Sequence, residues 1–166
     1  RHCDIGGTVT STEERQLLRQ TVAALVGKHA SSEAVRRAME SPRGYDESLW
    51  SMLCEQVGVA ALVVPEELGG AGGELADAAA VLEELGRSLV PTPLLGTTLA
   101  ELALLAADQP DGDTLEQLAS GGLIGAVVFD RDYVINGDIA DVVVAVQDAR
   151  LVRWTDVTAV PEHSLD

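Results

Sequence analysis

Apolar positions recur at helical spacing over the first two-thirds of the chain and fall into short β-branched runs over the last third. Ser11-Thr-Glu-Glu14 reads as a capping box, followed by a stripe of Leu17, Leu18, Thr21, Val22, Ala24 and Leu25 that Gly27 and Lys28 close. Ser31 and Ser32 cap a second helix, Glu33–Glu40, with Ala34, Val35, Ala38 and Met39 facing inward until Pro42 and Gly44 break it. Asp46 caps a third helix through Val57, whose buried edge is Leu49, Trp50, Leu53 and Val57. The run Ala60–Val64 is apolar all round and should be buried on every side. Pro65 then ends regular structure, and Gly69, Gly70, Gly72 and Gly73 make a shaped loop. A fourth helix, Leu75–Leu89, carries Ala78, Ala79, Leu82, Leu85 and Leu89, with Glu83, Glu84 and Arg87 on its solvated face. The fifth, Leu94–Ala107, is too widely apolar for the outside of a bundle, so it should be central or face a partner or an apolar ligand. Asp113 with Glu116 caps a short sixth helix to Ala119.

Past Gly121-Gly122 the period changes. Leu123–Phe129, Tyr133–Ile135, Val142–Val146, Leu151–Trp154 and Val157–Val160 read as strands, and Asn136-Gly137 as a hairpin turn. The expected fold is α+β, mainly α: a bundle of about six helices and then an incomplete antiparallel β region. The expected domains are a flexible leader at 1–10, a helical domain at 11–120 and a partial or shortened β domain at 121–166.

A chain of 166 residues suffices for one ordinary core, or one domain plus part of another. Its 46% hydrophobic and 23% charged residues are those of a soluble globular protein. The formal charge of −16 opposes nucleic acid and anionic membrane surfaces, and no run has the length of a transmembrane helix. Cys3 and Cys54 make no disulfide framework, and the polar Arg1–Thr10 has no signal-peptide core, so a cytoplasmic protein is expected.

Candidate chemistry is sparse. His2 beside Cys3 lacks the further ligands a metal site needs. Cys54 reads as a small core residue, with nothing in the spacing to bring His29 to it as a base. Glu66 and Glu67 sit in the shaped loop, where adjacent glutamates usually face solvent. No residue is named as catalytic, cofactor-binding or metal-binding.

Two segments taken together carry a resemblance. Gly58-Val-Ala-Ala-Leu-Val-Val-Pro-Glu-Glu-Leu-Gly-Gly70, followed by Ala80-Val-Leu-Glu-Glu-Leu-Gly-Arg87, resembles the N-terminal helical domain of the flavin-dependent acyl-CoA dehydrogenases, and the likeness runs from about Thr10 to Ser120. The resemblance implies α,β-dehydrogenation of an acyl-CoA in fatty acid or related lipid catabolism. It implies FAD in the parent enzyme or complex, though the chain alone need not bind it, and a homo- or hetero-oligomer with acyl-CoA dehydrogenase subunits. It also implies that the fifth helix lines the acyl-chain pocket, with Leu95 and Leu99 as candidate lining residues.

One departure bears on activity. Gly125-Ala-Val-Val-Phe-Asp130 resembles the family's first β strand but runs almost at once into Asp132-Tyr-Val-Ile-Asn-Gly-Asp-Ile-Ala-Asp141, which resembles a later hairpin. The flavin-contacting segment that the resemblance places between them is missing, and the isolated chain is expected to be inactive. Three readings follow: part of a working dehydrogenase whose catalytic machinery lies elsewhere, a non-catalytic structural subunit beside a flavin-bearing one, or an unrelated acidic helical binding module.

Overall fold

The computed structural model describes residues 6–131, 133–148 and 150–160, with backbone only over 6–11. Six helices precede a small three-stranded mixed sheet: α1 (Gly6–His29), α2 (Ser32–Met39), α3 (Glu47–Met52), α4 (Leu75–Arg87), α5 (Leu94–Leu105), α6 (Gly112–Ala119), β1 (Gly125–Val128), β2 (Val142–Gln147) and β3 (Arg150–Trp154). Helix α1 already begins at Gly6, so Ser11 lies inside it and does not cap it, while residues 1–5 of the expected leader lie outside the described residues.

Caps fix the next two helices. Ser31 Oγ accepts from the Ala34 N–H at 3.2 Å, and Asp46 Oδ1 accepts from Ser48 and Leu49. The predicted helix through Val57 changes pitch on the way: Leu53–Val57 wind as a π turn, which Gly58 ends with a left-handed backbone (φ 75°). Asp111, not Asp113, caps α6, because its carboxylate takes both the backbone N–H and the hydroxyl of Thr114.

Leu53, Val59, Val64, Val81, Leu94, Leu115 and Leu118 form a single core with Trp50, and the Val59–Val64 run is buried almost throughout as expected. Of the α1 stripe Val22 is buried, but Leu17, Thr21 and Ala24 are exposed, and three further inward assignments fail. Met39 and Ala79 are exposed, and Leu89 lies beyond the end of α4 with positive φ, turned to solvent. The working face of α4 is Ala78, Val81 and Leu85, and its outer side is tied to α1 by Arg15–Asp77 (2.8 Å), Arg15–Glu74 (3.1 Å) and Arg19–Glu83 (2.6 Å). The glycine loop folds back on the apolar run. Gly69 takes φ 83°, and an added Cβ at Gly70 would collide with the Val64 carbonyl.

Helix α5 is central, packed against β1, β2, α6 and α4. The sheet departs from the antiparallel expectation. β1 pairs parallel with β2, from Gly125↔Val142 to Val128↔Ala145, and only β2 and β3 run antiparallel, from Val143↔Trp154 to Gln147↔Arg150. Parallel neighbours need a crossover, and residues 129–141 provide it. The Asn136-Gly137 turn therefore lies within that crossover and not in a hairpin, with the Gly137 N–H donating to the Val134 carbonyl at 3.1 Å. Neither Tyr133–Ile135 nor Val157–Val160 is a strand. Among the described residues, no helix is long and apolar enough to cross a membrane.

Candidate functional site at the junction of α5 and β1

Small residues let α5 lie directly on β1. An added Cβ at Gly125 would stand 2.5 Å from Ala100 Cβ, and one at Gly96 would stand 2.8 Å from the Gly125 carbonyl oxygen. The buried Gly125 N–H, on the side of β1 away from β2, donates to Thr97 Oγ1 at 3.2 Å. The Asn136 turn closes the same spot: its Oδ1 and the Ile135 carbonyl oxygen both lie beside Gly96. Loop, helix and strand are thus locked at one point.

One turn further along α5, on the face carrying Leu94, Thr97 and Leu104, stands Glu101. It has no exposed surface, and among the described residues neither carboxylate oxygen has a hydrogen-bond partner. Burial raises its pKa from 4.5 to about 9, so the side chain is a neutral acid at pH 7. Cys54 lies within its electrostatic reach, and burial pushes that thiol up to about 12, which makes it inert as a nucleophile. Glu101 escaped the sequence reading because it sits among leucines on a helix judged by its apolar width. Its signal was a helical period that places it in register with Leu94 and Leu104.

The other sequence candidates are scattered. Leu95 points outward, 39% exposed, and Leu99 on the same side is partly buried against the core. Glu66 and Glu67 occupy an exposed 3-10 turn. The groups acting on Cys54 are the Ala60 backbone, Glu101 and Glu55, and His29 is not among them. His2 and Cys3 lie outside the described residues, and among the described residues no cluster of His, Cys, Asp or Glu could hold a metal ion.

Open depressions mark the surface of the described residues. One, of about 490 Å³, runs between α1 and the π turn, lined by Gln20, Thr21, Ala24, Leu25, Lys28, Gln56 and Val57. Another, of about 370 Å³, lies in the glycine loop beside Glu66 and Glu67. A flavin dinucleotide needs a slot for its ring system and donors for its pyrophosphate. The acidic depression carries the wrong charge, and the groove beside Lys28 is open to solvent. Neither depression fits the cofactor.

The core of helices, with the shaped loop between the π turn and α4, belongs to a known class. The family model described as "Acyl-CoA dehydrogenase, N-terminal domain" matches residues 12–122, and the chain belongs to the acyl-CoA dehydrogenases, a family of flavin-dependent oxidoreductases. It is 68% identical over 158 residues to the acyl-CoA dehydrogenase IpdE2 of Mycobacterium tuberculosis, covering 95% of this chain and 50% of that protein. Two solved structures share its fold: the Tcur3481-Tcur3483 steroid ACAD (TM-score 0.70, 26% identity, 81% of this chain and 45% of that one) and the ChsE4-ChsE5 complex from Mycobacterium tuberculosis (TM-score 0.69, 25% identity, 84% and 45%). The chain therefore spans about half the length of the relatives it matches.

Proposed function

We propose that these residues form the helical scaffold and first sheet strands of a heteromeric, FAD-dependent acyl-CoA dehydrogenase acting in the cytoplasm. The flavin chemistry is carried by parts of the assembly outside residues 1–166. In this reading 11–120 is the helical domain, and the β domain opens at 121. Its reaction is α,β-dehydrogenation of an acyl-CoA. The likeness to a protein described as a steroid ACAD favours a polycyclic acyl group over a straight chain. Leu95 and Leu99, on the outward side of α5, are the side chains offered to that group.

The observation that carries the reading is the crossover 129–141. It passes from β1 to β2 by way of a turn lodged against Gly96, where the family resemblance implies a flavin-contacting segment. The similarity to structures described as two-component assemblies supports a heteromer. A non-catalytic structural role for the whole protein is the second reading, favoured by the same crossover.

The test is to purify the complete gene product with and without co-expressed family subunits, record the visible flavin spectrum, and titrate steroid and straight-chain acyl-CoA esters anaerobically. Flavin present only in the mixed assembly and bleached by a steroid ester is the expected result. Full flavin occupancy and turnover by the isolated gene product would overturn the heteromeric reading, and no flavin in any assembly would overturn the dehydrogenase reading altogether.

A further inference from the structure

Helix α1 is anchored through one face. Arg15 and Arg19 tie it to α4, and Val22 and Val26 enter the core, which fixes the side that turns inward. On a different side, Glu14, Leu17, Thr21, Ala24 and Lys28 follow one another at alternating steps of three and four residues, the spacing of a helix–helix seam. All of them are exposed, Leu17 at 64%. The stripe runs along about 21 Å of helix. It borders the groove between α1 and the π turn, where Leu25 and Val57 are half-buried. The apolar pattern of α1 is thus only partly spent on the core, and its remainder forms an ordered stripe with a carboxylate at one end and an ammonium at the other.

We infer that this stripe is an antiparallel seam between two copies of this chain, related by a two-fold axis passing beside Thr21. Charge selects the occupant. The stripe ends in the chain's only lysine, and among the described residues neither Glu14 nor Lys28 takes part in an ion pair. Turned end for end against itself, the face sets Glu14 of each copy beside Lys28 of the other, whereas a parallel arrangement opposes like charges. Leu17 then meets Leu25 of the second copy. Thr21 meets its own counterpart, and with Ala24 it is small enough to let the helices approach closely. A net charge of −16 opposes self-association in general. The groove beside the stripe escapes that repulsion, because its lining has amide, hydroxyl and aliphatic groups and one ammonium but no carboxylate. The inference does not depend on the flavin reading, since none of its groups takes part in the proposed chemistry.

The test is sedimentation equilibrium of the complete gene product, purified without any other subunit, alongside Glu14→Lys, Lys28→Glu and the double variant. The expected result is a reversible dimer whose dissociation constant rises about tenfold in each single variant, because each change acts at both ends of the seam. The double variant restores opposite charges and should return the constant to within about threefold of the parent, which separates the pairing from any harm to the helix. Thr21→Cys gives a second readout, made with every cysteine except the buried Cys54 replaced. It should form a disulfide-linked dimer under mild oxidant, and Arg37→Cys, on α2, should not. A monomer at every concentration overturns the inference. So does an association indifferent to both single changes, or one that the double variant fails to restore. A missing Thr21 disulfide overturns it as well, since the axis would then lie elsewhere. A restored dimer that holds no flavin in any assembly would remove the dehydrogenase reading and leave the seam standing.

Discussion

Replacing Glu101 should stabilise this protein, by an amount that depends on pH in a defined way. The unfolded-state carboxyl titrates near 4.5 and the folded one near 9, so between those values the unfolded chain has released a proton that the native chain still holds. Stability therefore falls as pH rises through that window, by about 1.4 kcal/mol per pH unit, is unaffected by this group below it, and is flat again above it. At pH 7 the accumulated cost is about 3 kcal/mol, an upper figure because relaxation and water entry soften buried charges. Glu101→Leu removes the titration and both orphan oxygens while keeping the volume, and should gain about 2–3 kcal/mol at pH 7 and less than 1 kcal/mol at pH 5. Glu101→Gln removes the pH dependence but leaves unsatisfied amide groups, so it should gain less. The assay is urea unfolding of the three proteins at pH 5, 7 and 9, comparing midpoints at constant slope. Curves for Glu101→Leu and the parent that stay a fixed distance apart across that range would show that the carboxyl titrates alike in the native and unfolded states, and would refute the argument.

Three other substitutions probe particular joints. Gly125→Ala drives a methyl toward Ala100 Cβ, 2.5 Å away, and should cost about 2 kcal/mol in chemical denaturation, with partial recovery in the Gly125→Ala, Ala100→Gly double variant. Asp111→Ala should cost about 1 kcal/mol by uncapping α6, while Asp113→Ala should move the unfolding midpoint little; the reverse order would restore the cap read from sequence. The Asp111 carboxyl is held below its usual range by the Thr114 hydroxyl and N–H, so the cap's contribution is present at neutral pH and lost on acidification below the usual carboxylate pKa. Arg15→Ala cuts the tie from α1 to Asp77 and Glu74 and should lower the melting temperature in dilute buffer, with a smaller drop in high salt; an equal drop in both would make the effect one of packing.

The helices were legible because their signal is local. Ser31 and Asp46 cap where their side chains predict, and Leu49, Trp50 and Leu53 are buried at the spacing that named them. Errors there came from termini, where period alone does not say which of two acidic residues caps. They also came from small residues, since Ala79 and Ala80 are equally apolar and only the second is buried. The sheet was less legible because pairing is non-local. Asn136-Gly137 between two β-branched runs is a strong hairpin pattern, yet here the flanking strands are parallel and the turn is spent in the crossover. The tight antiparallel turn falls instead near Asp148, whose φ of 51° a short polar residue tolerates, and whose sequence carries no glycine to announce it.

Of the candidate site, the sequence disclosed the family through Pro65–Gly70 and Leu82–Arg87 but not the chemistry of α5. An amphipathic pattern reports which face of a helix turns inward. It does not report that a charged residue on that face has gone in unpaired, because in a sequence Glu101 looks like the polar interruption that keeps a surface helix soluble. The packing of α5 among β1, β2, α6 and α4 makes that face an interior one, and the contact with β1 depends on Gly96 and Gly125, which are far apart in sequence and meaningless singly. The same contact holds the Asn136 turn and so sets the course of the crossover that carries Phe129 and Tyr133 outward. The course of the crossover is then a consequence of one close approach of helix and strand, and a change at Gly125 should disturb it.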